Sequence, residues 1–388
     1  MIELDQALAI VRGVPPAARV QAVDLQGALG RVLVRAVPSL VDSPPFDKSA
    51  MDGFAVDGTR GAAEYRIQDL VPAGGAPQRA VGAGECARIM TGAMLPPGAV
   101  RVIRKEFVRE TDGVIRQVRE EPGDNVVRRG ANLRAGDRVL GPKVLGPQDI
   151  GILAASGITG VEVAAAPRVA VICTGPEIRE PGVPLAPGQI YNSNGPQLRA
   201  QLESMHCPCL SATTVDDEPG ALTAAISGAL DACDVLLLTG GVSEGDFDFV
   251  PGCLQELGAE ILFHRVTVKP GKPTLFARRG DSYAFGLPGN PVSAFVIFEV
   301  FVKPFLYRRM GLDWNPPVFR GVLAQAVRRH AVERTEFLPV RVRQGLVTPV
   351  TFHGSAHLNA LGEADGLIRV EKGVSEMPEG TELDVRPL

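Results

Sequence analysis

The second half of the chain alternates short apolar runs with amphipathic stretches. The run 234–238 is apolar almost throughout, as in a strand covered on both faces of a sheet. Apolar positions between such runs recur with helical spacing. We predict strands at 168–173, 210–215, 234–238, 260–268, 274–277 and 282–285, and helices at 194–205, 218–230, 249–257 and 291–310. This alternation predicts a three-layer α/β domain with a mostly parallel sheet at 167–312.

The first half has a different pattern. A helix is predicted at 2–12, a second one after Pro16 ending near Gly27, and a strand at 31–37. Gly146 and Pro147 open a further helix. Between them lies 43–137, which is rich in Gly and Pro and has no helical period. Short alternating runs at 65–71, 86–90, 100–108 and 114–118 predict an all-β domain, whereas the string 44–55 looks like a loop.

The predicted fold is therefore multidomain α/β plus β. The β domain at 43–137 is inserted into a helical linker domain formed by 1–42 and 138–166. The last region, 313–388, returns to short alternating strands and is predicted to be a small β-barrel domain. Its predicted strands are 321–326, 336–342, 366–370 and 382–385.

Composition and charge exclude several classes of protein. The 388 residues carry 40 basic and 44 acidic side chains, a net charge of −4, which argues against nucleic acid as a partner. The acidic start lacks the pattern of a signal peptide, and the most apolar stretch, 292–302, contains Glu299 and is too short to span a membrane. The six cysteines form no Cys-x-x-Cys pair, and Cys207 and Cys209 are predicted to lie in a turn and a strand start. We expect a cytoplasmic protein with free thiols.

Three segments are predicted at the carboxyl edge of the parallel sheet, where ligands of such sheets bind. The first contains Gly240, Gly241 and Ser243 after an apolar strand, and the second, 286–294, runs from a strand through a tight turn into a helix. Backbone N–H groups in such turns favour anions. The third, 269–273, carries two lysines. The chain has neither a dinucleotide fingerprint nor a Walker loop, so the pattern predicts a different type of phosphate site.

Acidic residues follow the same predicted strands. They are Glu177, Asp216, Asp217, Asp246 and Asp248. Phosphate beside several carboxylates requires a cation such as Mg²⁺ between them, because the like charges otherwise repel. The alternative for each acid is a helix N-cap, and for Asp217 both interpretations stay open.

Five motifs together resemble one family. They are PPFDKSAMDG at 44–53, RIMTGA at 88–93, GGVS at 240–243, KPGKP at 269–273 and GLPGNPVSA at 286–294. In this order they resemble the MoeA-type molybdopterin molybdenumtransferases, which are related to the C-terminal part of gephyrin. The resemblance implies four domains and an elongated homodimer, in which the inserted β domain of one subunit closes the α/β site of the other.

The resemblance also implies a reaction and the residues for it. Molybdate enters the dithiolene of adenylyl-molybdopterin and AMP leaves, assisted by Mg²⁺. The implied catalytic residues are Asp52, Thr91, Lys269 and Lys272. Those implied to bind the pterin nucleotide are Gly240, Gly241, Ser243, Pro288, Gly289, Asn290, Ser293 and Ser355, and those implied to hold the metal are Glu177, Asp217 and Asp248.

Several positions depart from the family pattern. Pro176 stands where the family has an acid, Asn132 lies where it tends to show two acids, and Lys48 and Arg101 are also atypical. Two alternatives to the transferase follow. One is a divergent, non-catalytic protein that binds molybdopterin or delivers the cofactor to a molybdoenzyme or another biosynthetic protein; the other is a gephyrin-like scaffold. The motifs do not distinguish molybdenum from tungsten.

Overall fold

The structure is a computed structural model. It describes residues 1–17, 19–58, 64–243, 248–351 and 353–388. These residues form two compact units. The first unit comprises 1–21, 30–34 and 164–388, and the second comprises 22–29 and 35–163. Each unit is described by itself below.

The α/β part of the first unit contains a six-stranded sheet. In chain order its elements are β1 (Val169–Thr174), α1 (Asn194–Ser204), β2 (Cys209–Val215), α2 (Pro219–Ala232), β3 (Val235–Thr239), α3 (Val250–Glu256), β4 (Glu260–His264), β5 (Leu275–Arg279), β6 (Ser282–Leu287) and α4 (Pro291–Ile297). The strand order is β2-β1-β3-β6-β5-β4. Strands β2, β1, β3 and β6 are parallel, and β5 is antiparallel to both of its neighbours. The predicted mostly parallel sheet is confirmed.

Burial explains why these segments become strands and helices. Every residue of β1 and β3 is buried, as expected for central strands covered on both faces. Helix α2 buries Leu222, Ile226 and Leu230 at four-residue spacing, and these side chains belong to the same core as residues of β3. Aromatic rings also pack in the core of this unit, where the ring centroids of Phe276 and Phe285 lie 4.4 Å apart.

The predicted helix 291–310 is confirmed in extent but is not uniform. A π-helical segment, Phe298–Val302, separates α4 from α5 (Lys303–Arg309). Glu299 is buried in this segment and lies 3.0 Å from Lys303 Nζ and 2.9 Å from a guanidinium nitrogen of Arg386. Sequence periodicity does not distinguish a π-turn from the surrounding α-helix, because one extra residue barely alters the apolar pattern.

The C-terminal strands form the predicted small barrel. In spatial order they are Thr335–Arg343, Leu346–Pro349, Phe319–Leu323, Glu382–Pro387 and Gly366–Val370, and the last pairs back with the first. Leu323, Val340, Val347 and Val385 fill its core. Strand Leu346–Pro349 was not predicted. The barrel region also contains the short strands Val327–Arg328 and Glu376–Met377 and the helix Asn359–Gly362.

The N-terminal predictions are partly wrong. The first helix, Leu4–Arg12, is confirmed, with Leu4, Ala7 and Val11 buried. The predicted helix after Pro16 is instead a strand, Val20–Asp24, followed by one helical turn, Leu25–Ala28. Asp24 accepts a hydrogen bond from the N–H of Gly27, so its side chain starts a new helix there rather than continuing an old one.

The second unit contains a six-stranded β-sheet. Its strands, in spatial order, are Arg101–Arg104, Gly53–Val56, Glu85–Ile89, Glu64–Val71, Val114–Gln117 and Val108–Thr111. The interpretation of 44–55 as a loop is wrong at 48–49 and from 53 onward, where the chain forms strands. Strand Gly53–Val56 is buried at all four positions and pairs on both sides. The predicted run 100–108 is interrupted by a 3₁₀ turn, Lys105–Phe107.

The other elements of the described residues are short. They are the strands Val32–Leu33, Val37–Pro38, Lys48–Ser49, Val126–Val127, Arg138–Leu140, Lys143–Val144, Gly160–Ala164, Ile178–Arg179, Ile190–Tyr191 and Val268–Lys269, and the predicted helix Pro147–Ala155. All six cysteines are free, as expected. Among the described residues, no helix is both long and apolar enough to cross a membrane. The division into four domains stays a prediction.

Candidate functional site

The loop after β3 approaches the end of β1 closely. Gly240 follows β3 directly and has a φ of +90°, and an added Cβ there would overlap the carbonyl oxygen of Thr174. The N–H of Gly240 donates to the carbonyl of Leu287 at the end of β6, at 3.3 Å. Only glycine fits this position without strain. Two of the three segments predicted at the carboxyl edge, the Gly240 loop and the end of β6, are therefore in contact in the structure.

The turn after β6 meets the same loop. An added Cβ on Gly289 would lie 3.7 Å from the Cα of Gly240. The side-chain amide of Asn194, at the start of α1, donates to the carbonyl of Gly289 at 2.7 Å. Pro288 and Ser293 are buried, whereas Gly289 and Asn290 are exposed. The loop after β3 and the turn after β6 thus form one exposed rim.

Ser355 belongs to this rim although it lies 65 residues from Asn290 in sequence. The side-chain amide of Asn290 donates to Ser355 Oγ at 2.9 Å, and the N–H of Val292 donates to the Ser355 carbonyl at 3.1 Å. The Asn290 side chain makes no capping hydrogen bond to α4. The structure therefore brings together Gly240, Gly289, Asn290 and Ser355.

The pKa of Asp217 is affected by the other acidic residues that follow the strands. Its carboxylate accepts a hydrogen bond from the Thr174 hydroxyl. Burial raises the pKa of Asp217, and the nearby charges of Glu177, Asp248 and Asp216 raise it further, against the lowering effect of Thr174. The repulsion means that these carboxylates lie within electrostatic range of one another.

Asp217 is not the N-cap of α2, because its neighbour Glu218 has that role. Glu218 is the N-cap of α2 and accepts a hydrogen bond from the N–H of Ala221 at 2.7 Å. Asp217 is therefore available for another role. Within the described parts of the chain, no three His, Cys, Asp or Glu side chains are grouped as metal ligands. Asp246 lies outside the described residues.

The two lysines of 269–273 have different environments. Lys269 Nζ lies 2.7 Å from a carboxylate oxygen of Glu336, the first residue of the predicted strand 336–342, which was not predicted to be a site residue. Lys272 is exposed and forms no ion pair with any described residue. Between them, Gly271 has a φ of +114°, and an added Cβ would overlap the side chain of Ile297. The segment is therefore held against α4 and leaves Lys272 in solvent.

In the second unit, three neighbouring strand ends bring Asp52, Thr91 and Lys105 together. Asp52 precedes strand Gly53–Val56, Thr91 follows Glu85–Ile89, and Lys105 follows Arg101–Arg104. Thr91 donates from its N–H and its hydroxyl to Asp52, and Lys105 Nζ lies 3.6 Å from the other carboxylate oxygen. The sequence missed Lys105. The register of the strands would have identified Lys105. Gly53 is paired with both Ile89 and Arg104, so the residues next to these three lie at the same end of the sheet.

Two of the atypical residues have local contacts. A guanidinium nitrogen of Arg101 donates to the Tyr65 hydroxyl at 3.4 Å. The carbonyl of Pro176 accepts a hydrogen bond from Arg179 at 2.9 Å. Neither contact supplies the carboxylate that the family pattern has at position 176.

Family profiles match three successive regions of the chain. Residues 2–157 match the MoeA N-terminal region (domain I and II), 170–308 match the probable molybdopterin binding domain, and 321–388 match the MoeA C-terminal region (domain IV).

Full-length relatives give the same result. The molybdopterin molybdenumtransferases of Staphylococcus aureus and Staphylococcus epidermidis are each 32% identical over 378 residues, covering 94% of this chain and 90% of theirs. Two crystal structures of the molybdopterin biosynthesis MoeA protein from Pyrococcus horikoshii match with TM-scores of 0.80 and 0.87, at 31% and 27% identity. Each alignment covers 100% of this chain, and 99% and 100% of those chains respectively. By this similarity along nearly its whole length, the chain belongs to the MoeA family of molybdopterin molybdenumtransferases.

Proposed function

We propose that this protein is a molybdopterin molybdenumtransferase of molybdenum cofactor biosynthesis, which transfers molybdate to adenylyl-molybdopterin with release of AMP. The observation that carries the proposal is the meeting of the Gly240 loop and the Gly289 turn beside Asn290 and Ser355. Backbone N–H groups, an amide and a hydroxyl at the carboxyl edge of a parallel sheet suit an oxyanion or phosphate. The name of the relatives gives molybdopterin as that ligand, and its adenylylated form follows from the motif resemblance.

The lysines and the rim share the binding of negative charge. Lys272 is exposed and without an ion pair among the described residues, so its ammonium is available to the ligand. Ser243 is also exposed and follows the two glycines of the same loop. Charge-assisted hydrogen bonds from such groups stabilise an oxyanion more strongly than neutral ones. We assign these residues to holding the phosphate and molybdate oxygens during transfer.

Asp52 acts as a fixed anion in this proposal. The main-chain and hydroxyl hydrogen bonds from Thr91 hold the pKa of Asp52 below its usual range, with a smaller effect of Lys105. The carboxylate is therefore ionised at neutral pH. It accepts hydrogen bonds or attracts positive charge, and it does not donate a proton. Following the family pattern, we propose a homodimer in which this group closes the site of the second copy.

Magnesium fits the acidic group by charge. Burial is the main cause of the raised pKa of Asp217, and repulsion by Glu177, Asp248 and Asp216 adds to it. A divalent cation relieves that repulsion, and carboxylate oxygens are its preferred ligands. Asp217 would be a ligand of the ion, and Glu177 and Asp248 would attract the ion by their charge, because the three carboxylates do not converge as a ready ligand group. When bound, it would neutralise phosphate charge beside these carboxylates.

AMP release tests the proposed reaction. The purified protein is incubated with adenylyl-molybdopterin and Mg²⁺, with and without molybdate, and free AMP is measured. Molybdate-dependent release supports the transferase. Release at the same rate without molybdate, or no release, contradicts it.

Two observations favour a second candidate, a protein that binds molybdopterin nucleotide without turning it over. The family acid is replaced by Pro176, and no three-ligand metal group forms among the described residues. Tight nucleotide binding without AMP release in the same assay would support this candidate. Cytoplasmic location and partner proteins of the pathway stay predictions.

A further inference from the structure

Glu336 is a buried acid placed between two cations. Its side chain is 5% exposed, and its two carboxylate oxygens lie 2.7 Å from Lys269 Nζ and 2.8 Å from Arg329 Nε. Glu336 and Arg329 belong to the barrel region, whereas Lys269 belongs to the motif 269–273 that follows β4. Removing a carboxylate from water is costly unless its charge is balanced, so both contacts matter to Glu336.

Glu336, Lys269 and Arg329 form a cluster whose three charges sum to +1. Arg329 is only 4% exposed, and its terminal nitrogens donate to the main-chain carbonyls of Glu371, Val374 and Arg334. These carbonyls are neutral, so Arg329 balances Glu336 and leaves Lys269 as an excess positive charge. The Lys269 side chain is 41% exposed, which places that excess charge at the solvent side of the cluster.

The main chain fixes the same geometry. Val268–Lys269 pairs in parallel with Thr335–Glu336, residue against residue. The N–H of Thr335 donates to the Thr267 carbonyl at 3.1 Å. Lys269 is thus held at its backbone by the barrel strand and at its ammonium by Glu336. A long side chain held at both ends loses little further conformational entropy when it binds a ligand.

We propose that Glu336 is a positioning residue for the oxyanion site. It holds the Lys269 ammonium in place, while the excess positive charge of the cluster is balanced by an oxyanion of the substrate. Lys272 differs, because it contacts the ligand without such support. The inference rests on the proposed function, in which the motif 269–273 binds an oxyanion.

A double-mutant cycle separates positioning from a purely structural role. The probe is inorganic molybdate or tungstate, and its affinity for the full-length chain is measured by calorimetry. The variants are Glu336→Gln, Lys269→Met and the double variant. We expect each single variant to weaken oxyanion binding by about tenfold, the effect of losing one well-placed charged contact. In the Lys269→Met background, Glu336→Gln should change affinity by less than about twofold.

Glu382→Gln is the matched control. Glu382 is an exposed barrel carboxylate paired with Arg320, so its replacement makes the same charge change away from the cluster. Oxyanion affinity should be the same as in the unaltered chain. An equal effect of Glu336→Gln with and without Lys269, or an effect no larger than that of the control, would overturn the positioning role.

Glu336→Asp covers the case in which Glu336→Gln does not fold. The shorter carboxylate keeps the negative charge but cannot reach both cations at their present distances. Affinity should therefore fall several-fold while the chain still folds. A lowered Tm with unchanged affinity would show that Glu336 is only structural. If the unaltered chain binds neither molybdate nor tungstate, both the oxyanion site at 269–273 and the positioning role of Glu336 are disproved. If the coupling is found but AMP is not released, the proposed reaction fails and the role of Glu336 stands.

Discussion

Thr91 donates two hydrogen bonds to one carboxylate oxygen of Asp52, from its main-chain N–H at 2.8 Å and from its hydroxyl at 2.7 Å. Both donors favour the ionised carboxylate, and together they lower the pKa of Asp52. The two residues are 39 positions apart in sequence and lie next to the ends of two neighbouring strands. Their contact joins the two most specific motifs of the second unit into one group.

Asp52→Asn should reduce turnover far more than binding. The amide keeps the size of the side chain but lacks the negative charge, so a contact made mainly in the transition state is lost. We expect kcat for AMP release to fall by about a hundredfold or more, with Kd for adenylyl-molybdopterin changed by less than about threefold. Asp57→Asn, beyond the end of the same strand, is the control. A parallel loss of affinity would contradict a catalytic role for Asp52.

Thr91→Val should shift the acid limb of the pH–rate profile to higher pH. Valine keeps the main-chain donor and removes the hydroxyl donor, so the pKa of Asp52 rises toward its usual value. A higher pKa means that the carboxylate becomes protonated at a higher pH, and activity should be lost earlier on acidification. The measurement is kcat/KM for AMP release against pH. Thr111→Val, at an exposed strand end of the same sheet, should leave the profile in place.

Asp217→Asn should remove a magnesium-dependent gain in stability. A carboxyl whose folded-state pKa is raised loses stability as pH rises from its ordinary pKa through the raised one, so the cost is present at neutral pH. Mg²⁺ should relieve this cost and raise Tm in the unaltered chain. In Asp217→Asn, Tm without Mg²⁺ should be higher and the response to Mg²⁺ smaller. Calorimetric scans at pH 7 with and without Mg²⁺ measure both; an undiminished response would exclude Asp217 from the cation site.

Lys272→Ala should weaken pterin-nucleotide binding and make it less sensitive to salt. The side chain is exposed and has no ion pair among the described residues, so its removal should leave Tm unchanged. We expect a loss of affinity of about tenfold at low ionic strength, diminishing as salt is added. Arg278→Ala removes an exposed cation from β5 and serves as the control. Unchanged affinity would remove Lys272 from the site.

Gly240→Ala should destabilise the α/β part and damage the rim. The added Cβ overlaps the Thr174 carbonyl, and a φ of +90° strains any side-chain-bearing residue. We expect a loss of about 1–3 kcal/mol in the free energy of unfolding, together with weaker nucleotide binding. Gly228→Ala, in the middle of α2 with open space around it, should instead be neutral or stabilise by up to about 1 kcal/mol. Denaturant unfolding compares the two, and equal stabilities would contradict the close approach.

Local pattern predicted most of the α/β part, because a strand buried on both faces is apolar throughout and a packed helix repeats its apolar positions. Thus β3 and α2 were located to within two residues. Prediction from the local apolar pattern was wrong where a segment is made a strand by its neighbours in the fold. Gly53–Val56 lies in a polar, glycine-containing motif, yet neighbours on both sides make it a strand. Val20–Asp24 is a strand because pairing partners distant in sequence override its local pattern.

The sequence by itself determined the family, the order of the main elements of the α/β part, the glycine-rich turns at the carboxyl edge of the sheet and the five motifs, since these depend on residue types at short spacing. Only the tertiary structure decided which of those residues meet. It placed Ser355 against Asn290, Thr91 and Lys105 against Asp52, and buried Glu336 against Lys269. The physical reason is that such contacts depend on strand register and on the packing of distant segments, for which no single stretch of sequence carries a signal.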